Sequence, residues 1–301
     1  MDLTIKSNLK ENRQHGDVLF PLAAYWIDIT HAGAPILECH WHDEVEFFYV
    51  IQGEVLFQLG TDYFHVKAGE AVFVESGEIH AGHSYQNATC MFAAVVFDKG
   101  LLSSASFDYI QEKFISPFLD RTRSFPRHIK GDSRWEKGLL FQIRTLLSIC
   151  DQQEPGFELA AKQQLLAMLH TIVPEGRHAN RSSKGKLDTS KALRLKTAIS
   201  YMQQHFNQPL KIEQIAGQIP MSEGQFCRFF KSMTRQTPIE YLNGYRIKVA
   251  TELLLDPGNK ISSVALDVGF DHISYFVKVF RKQMNCSPSE YRKVMLQERA
   301  D

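Results

Sequence analysis

The pattern of Phe226-Cys227-Arg228-Phe229-Phe230, followed by Thr237-Pro238-Ile239-Glu240-Tyr241, occurs twice in this chain. It returns as Phe276-Val277-Lys278-Val279-Phe280 and Ser287-Pro288-Ser289-Glu290-Tyr291, at an offset of 50 residues. Ile215-Ala216 likewise returns as Val264-Ala265, one residue short of that offset. A match of this kind marks a duplicated supersecondary unit. Thr237 and Ser287 read as N-caps, Pro238 and Pro288 as first helical residues, and Glu240 and Glu290 as the far ends of capping boxes. Ahead of each box lies a helix with Phe at i and i+4 turned to a core. Basic residues flank those Phe pairs: Arg228 and Lys231 in the first copy, Lys278, Arg281 and Lys282 in the second. A shorter helix precedes each, over Ile212–Gln218 and Ile261–Val268, and Ser222 with Gln225 caps the first basic helix. A short helix, a tight turn and a basic helix make a helix-turn-helix, whose second helix enters the major groove of DNA.

Around these units the pattern stays helical. Leu195, Ile199, Met202 and Phe206 form one face of a helix ending near Asn207-Gln208-Pro209. Leu242, Tyr245, Val249 and Leu253 mark a central helix that stops at Asp256-Pro257-Gly258. Residues 193–297 resemble the DNA-binding module of the AraC/XylS family. The resemblance rests on Phe226-x-Arg228-x-Phe230-Lys231, Thr237-Pro238-x-Glu240-Tyr241-Leu242, Arg246-Ile247-x-x-Ala250, Val268-Gly269-Phe270, Ser274-Tyr275-Phe276 and Ser287-Pro288-x-x-Tyr291-Arg292. Arg235 and Asn285 stand where the family often has Gly, and Pro220 in the first turn is unusual. The resemblance implies two reading heads on either side of the central helix. Base-facing residues would be Glu223, Gly224, Cys227 and Arg228 in the first, and Ile273, Ser274, Val277 and Lys278 in the second. Arg228 is expected to read guanine or, alternatively, to hold a phosphate. Lys231, Lys278 and Lys282 suit phosphate contacts or plain surface positions.

The N-terminal part has a different rhythm. Val45–Ile51, Val55–Leu59, Ala71–Val74 and Met91–Phe97 are short β-rich runs separated by Gly-containing turns, which predicts an all-β sandwich or barrel. From Leu101 to about Val173 the period becomes helical: Leu139, Ile143, Leu146 and Leu147, then Leu165, Leu166, Leu169 and Ile172. Such helices would cover the barrel or pair with a second subunit. The expected architecture is an all-β cupin-like barrel with a helical extension, followed by an all-α domain of two helix-turn-helix units. The boundaries expected are 1–100 for the barrel, 101–176 for the extension, 177–188 for a polar linker and 189–301 for the DNA reader.

His40-Trp41-His42-x-x-x-Glu46 followed by Gly53 resembles the first cupin signature; Gly69, Gly77 and His80 resemble the second. The chain departs from them at Ala34, Glu75 and Ser84. The resemblance makes His40, His42, Glu46 and His80 a candidate set for a divalent metal, hydrogen bonds to an effector, or a structural polar cluster. Trp41, with Trp26 and Tyr25, offers a ring for stacking on a sugar, the leading effector by analogy; an aromatic or other small acid is the alternative.

Charge supports a division of labour. Residues 181–301 hold 19 Lys and Arg against 11 Asp and Glu, a net +8 that residues 1–180 balance at −8. A basic half joined to an acidic half fits one segment that meets a polyphosphate and one that does not. Five widely spaced cysteines form no Cys-x-x-Cys pair and read as reduced thiols. With no apolar run long enough to span a membrane and no signal-like start, the expected location is the cytoplasm. Together these lead to an effector-controlled transcription regulator, not an enzyme, with promoter DNA, RNA polymerase and a second copy of itself as partners. The competing readings are a metal-dependent cupin enzyme fused to a DNA reader, and a ligand-free dimeric regulator.

Overall fold

The computed structural model describes residues 9–11, 13–29, 36–86, 88–106, 108–174 and 183–297. One compact unit runs Lys10–Asp188, and a second is built around Thr189–Asp301. No helix among the described residues is long and apolar enough to cross a membrane.

The first unit contains β1 (Leu22–Ile29), β2 (Leu37–His40), β3 (Val45–Leu59), β4 (Asp62–Lys67), β5 (Ala71–Val74), β6 (His80–Ser84), β7 (Cys90–Phe97) and β8 (His128–Ile129). The two runs read from the sequence as separate strands, Val45–Ile51 and Val55–Leu59, are one continuous strand, β3. Its first half pairs antiparallel with β5 and β7, setting Phe47 opposite Phe73 and Val95. Its second half pairs with β4 and β6, setting Phe57 opposite Phe64 and Gly82. The change of sheet falls at a register shift between Val50 and Gln52, beside Gly53 at φ +79°. A Cβ at Gly53 would collide with the Thr89 carbonyl oxygen, so the glycine bends the strand instead of ending it. Among the described residues the pairings do not close a ring: two cupin-like sheets share β3.

Both faces of β3 are buried, which is why Val45–Val50 reads as an apolar run and not as an alternation. Phe48, Val50 and Phe57 face the interior between the sheets, with Val66 and Phe92. Phe47, Phe73 and Val95 face the other way. After the short helix α1 (Ser116–Leu119), the helices α2 (Arg134–Gln152) and α3 (Phe157–Ile172) pack on that outer face. Leu139, Ile143, Leu146, Leu165 and Leu169 join Phe47 and Phe73 in a single core. Each such side chain removed from water contributes about 1.5–3 kcal/mol. The helical extension therefore covers the barrel. The barrel also reaches past its expected limit at residue 100, because β8 pairs with β5 through Ala71 opposite Ile129. A two-residue strand carries no periodicity from which it could be read.

The second unit comprises α4 (Ser183–Gln204), α5 (Ile212–Ala216), α6 (Glu223–Thr234), α7 (Pro238–Leu254), α8 (Ile261–Asp267), α9 (Ile273–Met284) and α10 (Pro288–Gln297). Of the expected linker at 177–188, residues 177–182 lie outside the described residues and 183–188 are the first turns of α4. Lys184, Lys186 and Leu187 are good helix formers, which offsets the helix-weakening Ser183 and Gly185 of this polar stretch. The duplication is carried into three dimensions. Phe226 and Phe230 lie 5.6 Å apart by ring centroids, and Phe230 lies 5.7 Å from Tyr241. Phe276, Phe280 and Tyr291 repeat the same 5.6 and 5.7 Å. All three capping boxes form, at Ser222/Gln225, Thr237/Glu240 and Ser287/Glu290.

Arg235 and Asn285 close α6 and α9 in the left-handed region, at φ +60° and +55°. That is the position where a helix favours Gly or Asn. Arg has a Cβ that makes this backbone cost about 1 kcal/mol or more. Arg235→Gly is therefore expected to raise stability by about 0.5–1 kcal/mol, read as an upward shift of the helical melt by circular dichroism. No gain would mean that the arginine side chain compensates its own backbone.

Candidate functional site

Two constellations carry the chemistry, one in each unit. In the second unit the Phe side chains fix which face of each basic helix points outward. Phe226 and Phe230 are buried, so α6 turns Glu223, Gly224 and Arg228 to solvent with Lys231 one turn on; Cys227 is half-buried. On α9, Phe276 and Phe280 are buried, while Ile273, Ser274, Lys278 and Lys282 are exposed and Val277 is half-buried. Every residue expected to face DNA thus lies on the open side of its helix or at its edge. The exposed faces of α6 and α9 differ in chemistry: α6 offers the Arg228 fork, whereas α9 offers the apolar Ile273 and a point charge at Lys278.

Behind them Arg246 ties the unit together. It is 8% exposed. Its Nε donates to the Phe206 carbonyl at 2.8 Å and its Nη2 to the Gln208 carbonyl at 2.8 Å. These carbonyls follow the end of α4, so a guanidinium meets acceptors that the helix itself leaves open. Arg292 does the same beyond α7, with Nε donating to Leu254 O at 2.9 Å and Nη2 to Asn259 O at 2.6 Å. Both arginines were legible as parts of the motif, but their structural role was not.

In the first unit, His40 ends β2, His42 sits in the following turn, Glu46 is the second residue of β3, and His80 opens β6. Strand alternation turns Glu46 to the same interior face as Phe48. His40 and His80 are directly opposite in the β2–β6 pairing, with ring centroids 4.2 Å apart. A carbonyl oxygen only accepts, so the contacts of each Nδ1 fix the ring orientations. His40 Nδ1 donates to Glu38 O at 2.8 Å, His42 Nδ1 to Glu44 O at 3.2 Å and His80 Nδ1 to Glu78 O at 2.9 Å. All three Nε2 atoms thereby face inward, toward Glu46. His42 Nε2 donates to Glu46 Oε2 at 3.1 Å, and His80 Nε2 lies 3.3 Å from the same oxygen. The four side chains bring one ligand atom each to within 4.8 Å of one another.

The electrostatics follow from this burial. Burial, then the neighbouring His80, pushes His40 down to about 4, leaving it a neutral imidazole at pH 7. Burial alone would raise Glu46, but the bond from His42 and the nearness of His80 outweigh it and hold the carboxyl well below the usual carboxylate range. His80 Nε2 is buried with no aligned hydrogen-bond partner. Imidazole nitrogens fixed by carbonyl bonds on their far sides, converging with an ionised carboxylate, fit a divalent transition metal. A metal there would act as a Lewis acid or as a cross-link between β2, β3 and β6.

Two further groups belong to this cluster and carried no sequence signal. The segment before β1 brings Glu11 Oε2 to 3.5 Å from His40 Nε2 and to 3.5 Å from His15 Nε2. The polar start of the chain was read only for what it lacked. Trp41, expected as a stacking ring, is 9% exposed, and Lys10 Nζ lies 5.0 Å from its ring centroid. Glu75, standing where the cupin signature has Pro, receives hydrogen bonds from Lys99 and the Ser124 hydroxyl.

Comparison with known proteins agrees with both halves. A cupin domain family matches residues 28–97 and a helix-turn-helix domain family matches residues 215–294. An uncharacterized HTH-type transcriptional regulator, YdeC of Bacillus subtilis, is 26% identical over 97% of this chain and 99% of its own length. The HTH-type transcriptional activator RhaS of Escherichia coli O157:H7 is 24% identical, covering 84% of this chain and 87% of RhaS. The regulatory protein PocR of Salmonella typhimurium is 30% identical over 54% of this chain and 56% of PocR. With the repeat, the caps and the paired helices in place, the chain is a transcriptional regulator in which a cupin domain precedes an AraC-type helix-turn-helix domain that binds double-stranded DNA.

Proposed function

We propose that this regulator reads its promoter through α6 and α9 and that a divalent metal ion held by His40, His42, Glu46 and His80 controls how it does so. The observation that carries the metal reading is the set of three Nδ1–carbonyl bonds turning three Nε2 atoms onto one carboxylate. Hydrogen bonding to a sugar was the leading expectation for these residues. Of the rings expected to stack on that sugar, Trp41 beside the cluster lies buried under Lys10, whereas Trp26 is 44% exposed. The outer face of α2 and α3 keeps Phe141 and Leu159 at 62% and 75% exposure, which supports that face as the contact with a second copy. The control experiment is DNA footprinting with the intact protein before and after chelation and after return of Zn²⁺ or Ni²⁺. A footprint that changes with metal supports the reading; an identical footprint at full metal loading overturns it.

Base readout is expected to centre on Arg228 in the first half-site, since Gly224 and Cys227 are poor hydrogen-bond formers there. Arg228→Ala should weaken binding to the selected site by about 1–3 kcal/mol and flatten preference at one base position. Selection from a randomised duplex pool followed by gel-shift titration checks it. Weaker binding with unchanged preference would move Arg228 to the phosphates.

A further inference from the structure

We propose that Glu11 is a fifth protein ligand of the barrel metal, so that the site is closed by the chain's own N-terminal segment. The inference rests on the metal reading above and deepens it. Five contacts of the segment carry it. Glu11 Oε2 is already 3.5 Å from His40 Nε2, one of the four ligand atoms. The backbone holds it there, because Glu11 N–H donates to the Trp41 carbonyl at 2.9 Å, between His40 and His42. Lys10 adds an ion pair to Asp43 at 2.7 Å, and Arg13 stacks over Tyr25 with Cζ 4.1 Å from the ring centroid. Lastly, His15 is buried, its Nδ1 is 2.9 Å from the Tyr25 hydroxyl, and its Nε2 has no aligned partner while facing Glu11 Oε2. With Nδ1 accepting from Tyr25, His15 Nε2–H is left to donate toward that carboxylate, so His15 is a positioning residue for Glu11.

The consequence is chemical. Three imidazoles and one carboxylate leave room on the ion for a substrate or water, the arrangement that catalysis requires. A second carboxylate from the chain takes up that room. Three nitrogens with two carboxylates also suit a five- or six-coordinate first-row ion better than a tetrahedral one. The site then works as a clasp: metal binding holds Glu11 and His15 beside β2, and metal loss releases them.

The test uses Co²⁺ with the full-length protein. Its visible absorption weakens as coordination number rises, and trypsin cuts after Lys10 and Arg13. Glu11 is nearly a third exposed, so Glu11→Gln is compatible with folding. In the wild type, Co²⁺ should give the weak bands of five or six ligands and slow cleavage at Lys10 and Arg13 by at least about tenfold, since an ion that binds the closed form opposes its opening. In Glu11→Gln the bands should strengthen and the protection should disappear. Equal spectra and equal cleavage in both proteins, with Co²⁺ bound, would overturn the role of Glu11 and leave the four-residue site standing. Failure of Co²⁺ to bind the wild type would overturn both.

Discussion

Gly269→Ala is expected to lower the stability of the C-terminal unit by about 3 kcal/mol and to abolish DNA binding near its melting range. Gly269 follows α8 at φ +87°, and an L-residue there costs about 1–2 kcal/mol. The added methyl would also strike the Phe206 carbonyl oxygen. That oxygen is the acceptor of Arg246 Nε, so relief of the clash pulls apart a buried bond to a charged donor. Losing such a bond costs about 1.5–3 kcal/mol. For a unit of this size the change is more than about 10 °C in Tm. The measurement separates the two units cleanly, because Trp26, Trp41 and Trp135 all lie before residue 188. Helical ellipticity should be lost early while tryptophan emission holds. A C-terminal transition that does not move would mean that Gly269 and the end of α4 are not packed as described.

Val268-Gly269-Phe270 was readable as a piece of a family motif, but the need for glycine was not, since it comes from a carbonyl 63 positions earlier in the chain. The reading heads were legible throughout, because a repeat displays its own period and capping boxes are local. The barrel was legible in kind. Its strands were misdivided at Gly53, since a glycine that ends a strand and one that bends it look alike until Thr89 is seen beside it. The four residues of the cupin-like cluster were visible because three of them crowd into seven residues, His40 to Glu46. Glu11 and His15 were invisible for the opposite reason: no spacing rule links them to His40 or His42, and only the fold of the segment over Trp41 does.

The second large effect concerns the cluster itself. Glu46→Gln is expected to weaken divalent-metal binding by more than about 100-fold while leaving the fold intact. Partners one shell beyond a metal ligand already cost 10–100-fold when removed, and Glu46 would be a direct ligand contributing a negative charge buried at the cluster's centre. The amide matches the carboxylate in shape and can still meet His42, so packing against Phe48 and β6 is kept. Thermal stability supplies the readout. At a metal concentration of about 100 times its dissociation constant, the wild type should gain about 2.7 kcal/mol. At that same concentration a 100-fold weaker variant gains only about 0.4 kcal/mol by the same relation. The apoprotein melts of the two should agree closely, and that agreement separates lost ligation from lost folding. A Glu46→Gln protein that keeps the full metal-induced shift would place the ion outside the cluster formed by His40, His42, Glu46 and His80, and the clasp built on Glu11 would fall with it.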